Sequence, residues 1–268
     1  MPEFPCETPI MLALKLRHGD VDVVAEPRSS AFVEVTNVNG PVADARVEFH
    51  DGVLVVQVPD SVGSWLSWRP SRLRVVARIP SGSRIEGKLG SGDLRAHGTF
   101  DLFHLTTGSG DVTLEHVTGD ASVTSASGDL RVDRVDGSMA VNTASGDIDV
   151  RHVGGDLTAH SASGDLTLGV VSGSLGVTTA SGDVNLGVAS AGTVEVRTAS
   201  GDVSVGVAAG TGVWLDLATT SGDTRNDLAF QDGAEQPSGS SDHPALSLRV
   251  RTISGDIRVR RTAPVAVA

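Results

Sequence analysis

Asp93, Asp111, Asp129, Asp147, Asp165 and Asp183 each follow a glycine, and each stands 18 residues from the next. The Gly-Asp pair returns at Asp202, Asp223 and Asp256, after intervals of 19, 21 and 33 residues. Carboxylates repeated at a fixed interval and lined up along one axis could do either of two jobs. They could form a ladder for a hard cation such as calcium, which takes several oxygen ligands per ion. Asp111, Asp129, Asp147, Asp165 and Asp183 are the candidates for such a ladder, with calcium as the one cofactor to consider. Alternatively, each carboxylate accepts backbone N–H groups within its own glycine turn, or the hydroxyl of Ser109, Ser127, Ser145 and their equivalents. The second reading is the stronger. Calcium rolls repeat a glycine-rich loop about every nine residues, whereas here Ser-Gly-Asp comes once per 18, with Asp120, Ser138, Asp156 or Ser174 at the half-turn.

Other constellations with chemical potential are sparse. His116 and His152 fall in one column but two repeats apart with Arg134 between them, about 10 Å by strand spacing and too far for one metal. His104 and His160 fall on other columns. No histidine recurs beside the Ser-Gly-Asp phrases, so they are not nucleophile triads, and no catalytic residue is assigned. Thr106, Thr124, Asn142, His160 and Thr178 share an outward column. The neighbouring column of His104, Ser122, Ala140, Thr158 and Gly176 does not match it, so strand preference for threonine accounts for it. Arg249, Arg251, Arg258, Arg260 and Arg261 make a local basic patch. The irregular stretch 60-DSVGSWLSWRPSR-72 holds Trp65 and Trp68 and is the place for a hidden site, or for simple cap packing.

The elements that would position these residues follow from one unit, 129-DLRVDRVDGSMAVNTASG-146. With Asp as position 1, apolar residues stand at 2, 4 and 7 (Leu130, Val132, Val135) and at 11, 13 and 16 (Met139, Val141, Ala144). The second set repeats the first displaced by nine, so each unit is two half-repeats, each a strand of period two closed by a glycine turn. Turn glycines are Gly110, Gly128, Gly146, Gly164, Gly182 and Gly201. Strands that recur this way bury one common face only by stacking as parallel coils. The fold class is therefore all-β, a single-chain parallel β-solenoid (β-helix) of about 18 residues per turn. Two faces per turn is the preferred form and a three-sided coil the alternative; right-handed winding follows the crossover rule. Arg131 beside Asp149, and Asp133 beside Arg151, would pair across strands on the outer face.

Composition agrees. Apolar residues are 39% but aromatics only 3%, with no Tyr and 32 Gly, which suits a narrow interior of constant cross-section. A net charge of −12 argues against nucleic acid as a partner. Cys6 is the only cysteine, so no intramolecular disulfide forms. The start, MPEFPCETPIMLALKLRHGD, has no basic n-region, and its IMLAL run is too short for a signal segment. With no window long enough for a transmembrane helix, a cytoplasmic protein without membrane contact is expected.

The regular solenoid spans residues 89–230. Residues 1–88 read as a broader N-terminal β cap with degenerate coils, including an early Gly19-Asp20 phrase and the strands AFVEV, ARVEF, VLVVQV and LRVVARI. Residues 231–244 form a polar loop insertion, and 245–268 the terminal coil and tail. A cap is needed because an open coil offers unpaired backbone.

The stretch LRVVARIPSGSRI (73–85), the repeated TASGD phrases, VWLDLATTSGDTRNDL (213–228) and TISGDIRVRR (252–261) together resemble the bacterial "putative adhesin", β-strand-repeat family catalogued as domain of unknown function 4097, in its actinobacterial form. The resemblance covers essentially the whole chain and implies a β-solenoid without a catalytic set. The functional expectation is a non-catalytic scaffold or protein-interaction, adhesin-like module with a protein partner, and with self-association through the solenoid ends as an option. The alternatives are an enzyme with its site in the N-terminal cap or the 208–244 insertions, and a cytoskeletal solenoid polymerising end to end.

Overall fold

In the computed structural model the described residues are 3–37, 45–58, 73–228 and 245–262. The expected sites at Trp65 and Trp68 and the 231–244 loop lie outside them. Among the described residues all regular structure is strand, joined in one continuous hydrogen-bonded sheet. The chain is an all-β parallel solenoid.

Each regular coil of 18 residues supplies two strands. Leu130–Val135 pairs in parallel with Ile148–Val153 of the next coil, and Met139–Ser145 pairs with Leu157–Ser163. Leu130 faces Ile148, Val132 faces Val150 and Met139 faces Leu157, so like residues stack on like along the axis. Every one of those apolar side chains is at most 4% exposed. One coil cannot hide its own apolar edge; its neighbours complete the core.

One sequence expectation fails in an informative way. Position 16 does not turn inward: Ala126, Ala144, Ala162, Ala180 and Ala199 are all exposed. Strict alternation continues through the second strand, so position 15 faces the core, and Thr107, Thr179, Thr198 and Thr252 are buried there. The hydroxyl of Thr143 donates to the Ser145 carbonyl at 3.0 Å, and Ser161 donates likewise to Ser163 at 3.1 Å. A threonine or serine at the corner can bring its own hydrogen bond, as Thr107, Thr179 and Thr198 also do, and so face inward where an apolar residue was expected; Thr252 is the exception, its hydroxyl buried without a partner among the described residues. In the first strand, by contrast, Asp133 and Arg134 both face outward in succession before Val135 returns to the core. The two halves of the repeat are therefore not equivalent.

The ends depart from chain order. Met11–His18 and Asp20–Glu26 form a regular coil lying between the Val53–Gln57/Leu73–Pro80 coil and the Ser83–Ser91/Leu94–Ser109 coil. At the other end, Leu246–Ser254 and Ile257–Thr262 insert between the Gly192–Ser200/Val203–Ala208 coil and the Val213–Ser221/Thr224–Asp227 coil. Among the described residues, 245–262 are thus the penultimate coil and not the terminal one, and 213–227 hold the end. Antiparallel strands close the N-terminal mouth. Ser30–Asn37 pairs against Leu73–Pro80, Glu3–Pro5 against Ser30–Asn37, and Arg46–His50 against Val53–Gln57. Phe4 and Phe49, from the two outermost strands, meet across the mouth with ring centroids 5.6 Å apart.

Candidate functional site

The aspartate column is the place where chemistry was expected, and its geometry is uniform. At each corner the backbone groups run along the solenoid axis: Gly92 N–H donates to Ser109 O at 3.0 Å and Leu94 N–H to Asp111 O at 2.9 Å. The Asp N–H between them is taken by the carboxylate of the preceding coil. Asp147 N–H donates to Asp129 Oδ1 at 3.0 Å, and Asp165 N–H to Asp147 Oδ1 at 2.9 Å. The same bond runs from Asp20, which accepts from Asp93 at 3.2 Å, to Asp256, which accepts from Asp223 at 2.8 Å. Asp93, Asp111, Asp165, Asp183 and Asp202 are linked in the same way. The carboxylate therefore ties one coil to the next, where the sequence had suggested a bond within its own turn. The half-turn column uses the same device: Ser138 N–H donates to Asp120 Oδ1 at 2.8 Å, Asp156 N–H to Ser138 Oγ at 3.3 Å, and Ser174 N–H to Asp156 Oδ1 at 2.7 Å. Aspartate and serine alternate there because either offers an acceptor oxygen to the same donor.

The turn glycines set this geometry. Gly110, Gly128, Gly146, Gly164, Gly182 and Gly201 all have φ between +115° and +140°. A Cβ on Gly146 would drive into the Gly128 carbonyl, with the carbonyl carbon only 2.7 Å away. Both the dihedral and the close stacking of coils demand glycine.

With Oδ1 engaged, the second carboxylate oxygen faces the surface, and at Asp93 it accepts from Arg95 at 2.9 Å. Two open grooves follow the column. One, of about 270 Å³, is lined by Asp129, Asp147 and Asp165 with Arg131, Asp149 and Thr167. The other, of about 440 Å³, continues along Asp165, Asp183, Asp202 and Asp256 and ends at Arg258 and Arg225. No three His, Cys, Asp or Glu side chains among the described residues converge as metal ligands. A third groove, of about 390 Å³, crosses the opposite strands at Phe103, Ser122, Met139, Ala140 and Thr158.

The histidines are placed as their columns required, with His116 and His152 on either side of Arg134. The sequence did not reveal the partner of His116. Its Nε2 lies 2.9 Å from Asp136 Oδ2, while Arg134 Nε donates to Asp136 Oδ1 at 2.6 Å. The His116 hydrogen bond, then the Arg134 hydrogen bond and charge, hold the Asp136 carboxyl below its usual range against the opposing effect of burial. The signal was available: position 8 of this coil is Asp136, where the next two coils carry Gly154 and Ser172. Thr99 Oγ1, on the other side, is 3.5 Å from His116 Nδ1. On the outer face Arg151 reaches Asp133 at 3.1 Å, and Arg131 stands in register with Asp149. Thr106, Thr124, Asn142, His160 and Thr178 form one exposed column.

The basic patch is largely engaged within the fold. Asp216 binds Arg249 at 3.0 Å and lies 3.6 Å from Arg251. Arg261 donates to the carbonyls of Ala208 and Thr211. Trp214 is 45% exposed, with the Arg249 guanidinium 5.8 Å from its ring. Cys6 is buried, and burial raises its thiol pKa despite the nearby Arg28 charge.

The profile of the family described as Toastrack DUF4097 matches residues 12–260, nearly the full length. Among solved structures, a "putative adhesin" of Bacteroides fragilis NCTC 9343 is similar at 11% identity, covering 96% of this chain and 95% of that one with a TM-score of 0.50. A "putative lipid binding protein" of Parabacteroides distasonis ATCC 8503 is similar at 14% identity over 97% of this chain and 95% of that one, with a TM-score of 0.46. A "putative cell adhesion protein" of Clostridium sporogenes ATCC 15579 shares 10% identity over 96% and 94%, with a TM-score of 0.25. No curated protein matches the sequence. The chain belongs to the Toastrack DUF4097 family.

Proposed function

We propose that this Toastrack-family protein is a non-catalytic β-solenoid scaffold that offers a long outer face to a protein partner. The observation that carries the reading is the use made of the corners. From Asp93 to Asp202 the Asp N–H of every Ser-Gly-Asp corner is bonded to the carboxylate of the adjacent coil. Turns of two or three residues leave no loop on which to gather acid, base and nucleophile, so what the regular coils present outward is area.

The face best suited to a partner is the outer side of the strands Ala121–Ser127, Met139–Ser145 and Leu157–Ser163. There the small Ser122, Ala140 and Thr158 form the floor of the groove of about 390 Å³, beside the exposed column of Thr124, Asn142 and His160. A shallow trough with small residues and hydrogen-bonding neighbours accepts an extended protein segment without first displacing long side chains.

The test is cross-linking and affinity capture with the wild-type chain, Ala140→Arg, and Asp133→Arg as an outer-face control on the other strands. Loss of the captured protein with Ala140→Arg alone supports the face. Capture unaffected by Ala140→Arg removes it, and turnover of any offered substrate by the purified chain removes the non-catalytic reading.

A further inference from the structure

The two ends of the solenoid are finished differently. At the N-terminal mouth the outermost strands are short and antiparallel. Glu3–Pro5 ends on a proline, and Arg46–His50 carries an Arg46–Glu48 ion pair at 2.6 Å on its exposed side. Short strands, charges and proline are the usual means of blunting a sheet edge.

The strand Val213–Ser221, by contrast, pairs on one side only among the described residues, with Leu246–Ser254. Its Val213, Leu215 and Leu217 are only partly buried, whereas their counterparts one coil inward, Leu246, Leu248 and Val250, are 0% exposed. Among the described residues Thr224–Asp227 likewise pairs on one side only, and all four of its residues are exposed. The column of carboxylate-to-amide bonds also ends here: Asp223 donates its N–H to Asp256, and no further coil follows among the described residues.

We infer that this end is a contact between two copies of the chain, joined tail to tail about a two-fold axis. This rests on the scaffold reading but does not depend on which face binds the partner. The choice of a second copy comes from charge. Antiparallel pairing of Thr224–Asp227 with itself, centred on Asn226, sets Arg225 against Asp227 of the second copy twice over. Asn226 then faces Asn226, each side-chain N–H donating to the other's Oδ1, an oxygen that within its own chain also accepts from Leu228 N–H at 3.0 Å.

Self-complementary pairing of this kind is isologous and closes at two. Head-to-tail growth would require the N-terminal mouth as the other half, and that mouth is closed by the Phe4–Phe49 contact and its charged edge. The interface is one coil across, so its area falls in the small class, below about 1,200 Å², and its affinity in the micromolar range.

Sedimentation of the full chain across roughly 1–200 μM tests this. The expected result is a monomer–dimer equilibrium with no larger species. Arg225→Asp and Asp227→Arg, each alone, are expected to weaken it at least about tenfold, and the double exchange to restore it. All the substituted side chains are exposed, and the Arg258–Asp227 contact within the chain, at 3.9 Å, is a surface pair of little weight, so the fold is not at stake. A monomer at every concentration, as would follow if residues 229–244 cover this edge instead, overturns the inference. So does filament growth, or a dimer indifferent to the single exchanges.

Discussion

Gly146→Val and Asp147→Asn alter adjacent residues of one corner, and the structure assigns them very different costs. Gly146 sits at φ +120°, a region that β-branched residues essentially do not enter. That strain alone is about 1–3 kcal/mol. The added side chain also meets the Gly128 backbone, with the carbonyl carbon 2.7 Å from the new Cβ. Backbone stacked in a ladder cannot yield without shifting a whole coil, so a further penalty of about 1–3 kcal/mol, the usual cost of overpacking, is expected. Asp147→Asn keeps an acceptor oxygen for the Asp165 N–H, which now lies 2.9 Å from Asp147 Oδ1. A neutral acceptor is weaker than a charged one, by about 1 kcal/mol. Removing one charge from a row spaced at about 4.8 Å relieves close to 0.9 kcal/mol of repulsion per neighbour in water. The two effects offset to within about 1 kcal/mol. For a chain of this size 1 kcal/mol is about 2–4 °C in Tm, so Gly146→Val, at about 2–6 kcal/mol in all, is expected to lose about 4 °C at the least and about 8–16 °C at the middle of that range, and Asp147→Asn to stay within about 4 °C. Thermal melts followed by far-ultraviolet circular dichroism measure both. Gly176→Val is the internal control, since a Cβ at Gly176 meets nothing within 4 Å. If Gly146→Val proves the milder change, or no worse than Gly176→Val, the corner does not work as argued.

Two further outcomes probe the charged groups. The Asp136 carboxyl is held below its ordinary value, so its pairing stabilises the fold above about pH 4 and is lost as pH falls through the lower folded value. The Tm difference between wild type and Asp136→Asn should be present at about pH 6 and shrink as the pH is taken below about 4; a difference unchanged on acidification would refute the pairing. For the aspartate column, about 5 mM calcium is expected to leave Tm within about 1 °C, because a ligand bound only by the folded state would raise it. An upward shift of several degrees that is lost in Asp147→Asn would reinstate a cation ladder.

Where a residue lies along a coil was legible in the sequence, because an 18-residue interval fixes which side chains share a column. The register of Arg131 with Asp149, and of His116 with Arg134 and His152, followed from counting. Which of two adjacent corner residues turns inward did not follow from hydropathy. Ala144 is the more apolar, but Thr143 carries a hydroxyl that bonds the Ser145 carbonyl, so alternation can run on to the corner without leaving a buried donor unmet. The aspartate bond was misjudged for a related reason. Acceptance inside one turn and acceptance by the next coil use the same two residue types, and only the direction of the backbone N–H separates them.

The order of the coils is the harder case. Residues 252-TISGDIRVRR-261 and 219-TTSGDTRNDL-228 carry the same corner phrase, and chain order alone puts the first at the end. The deciding signal lies at positions 2 and 4. Ile257 and Val259 there are 0% exposed, which a coil covered on both sides requires, whereas Thr224 and Asn226 are polar and exposed. A coil flanked on one side only buries those positions incompletely, and threonine and asparagine suit it as isoleucine and valine would not. The same logic places Val21 and Val23, both 0% exposed, in an interior coil despite their nearness to the start of the chain. Apolar residues at positions 2 and 4 therefore mark a coil that must be covered, whatever its place in the sequence. In this chain both inserted coils are covered by segments nearer its middle, so the exposed edges of the stack are not formed by the first and last regular coils in sequence.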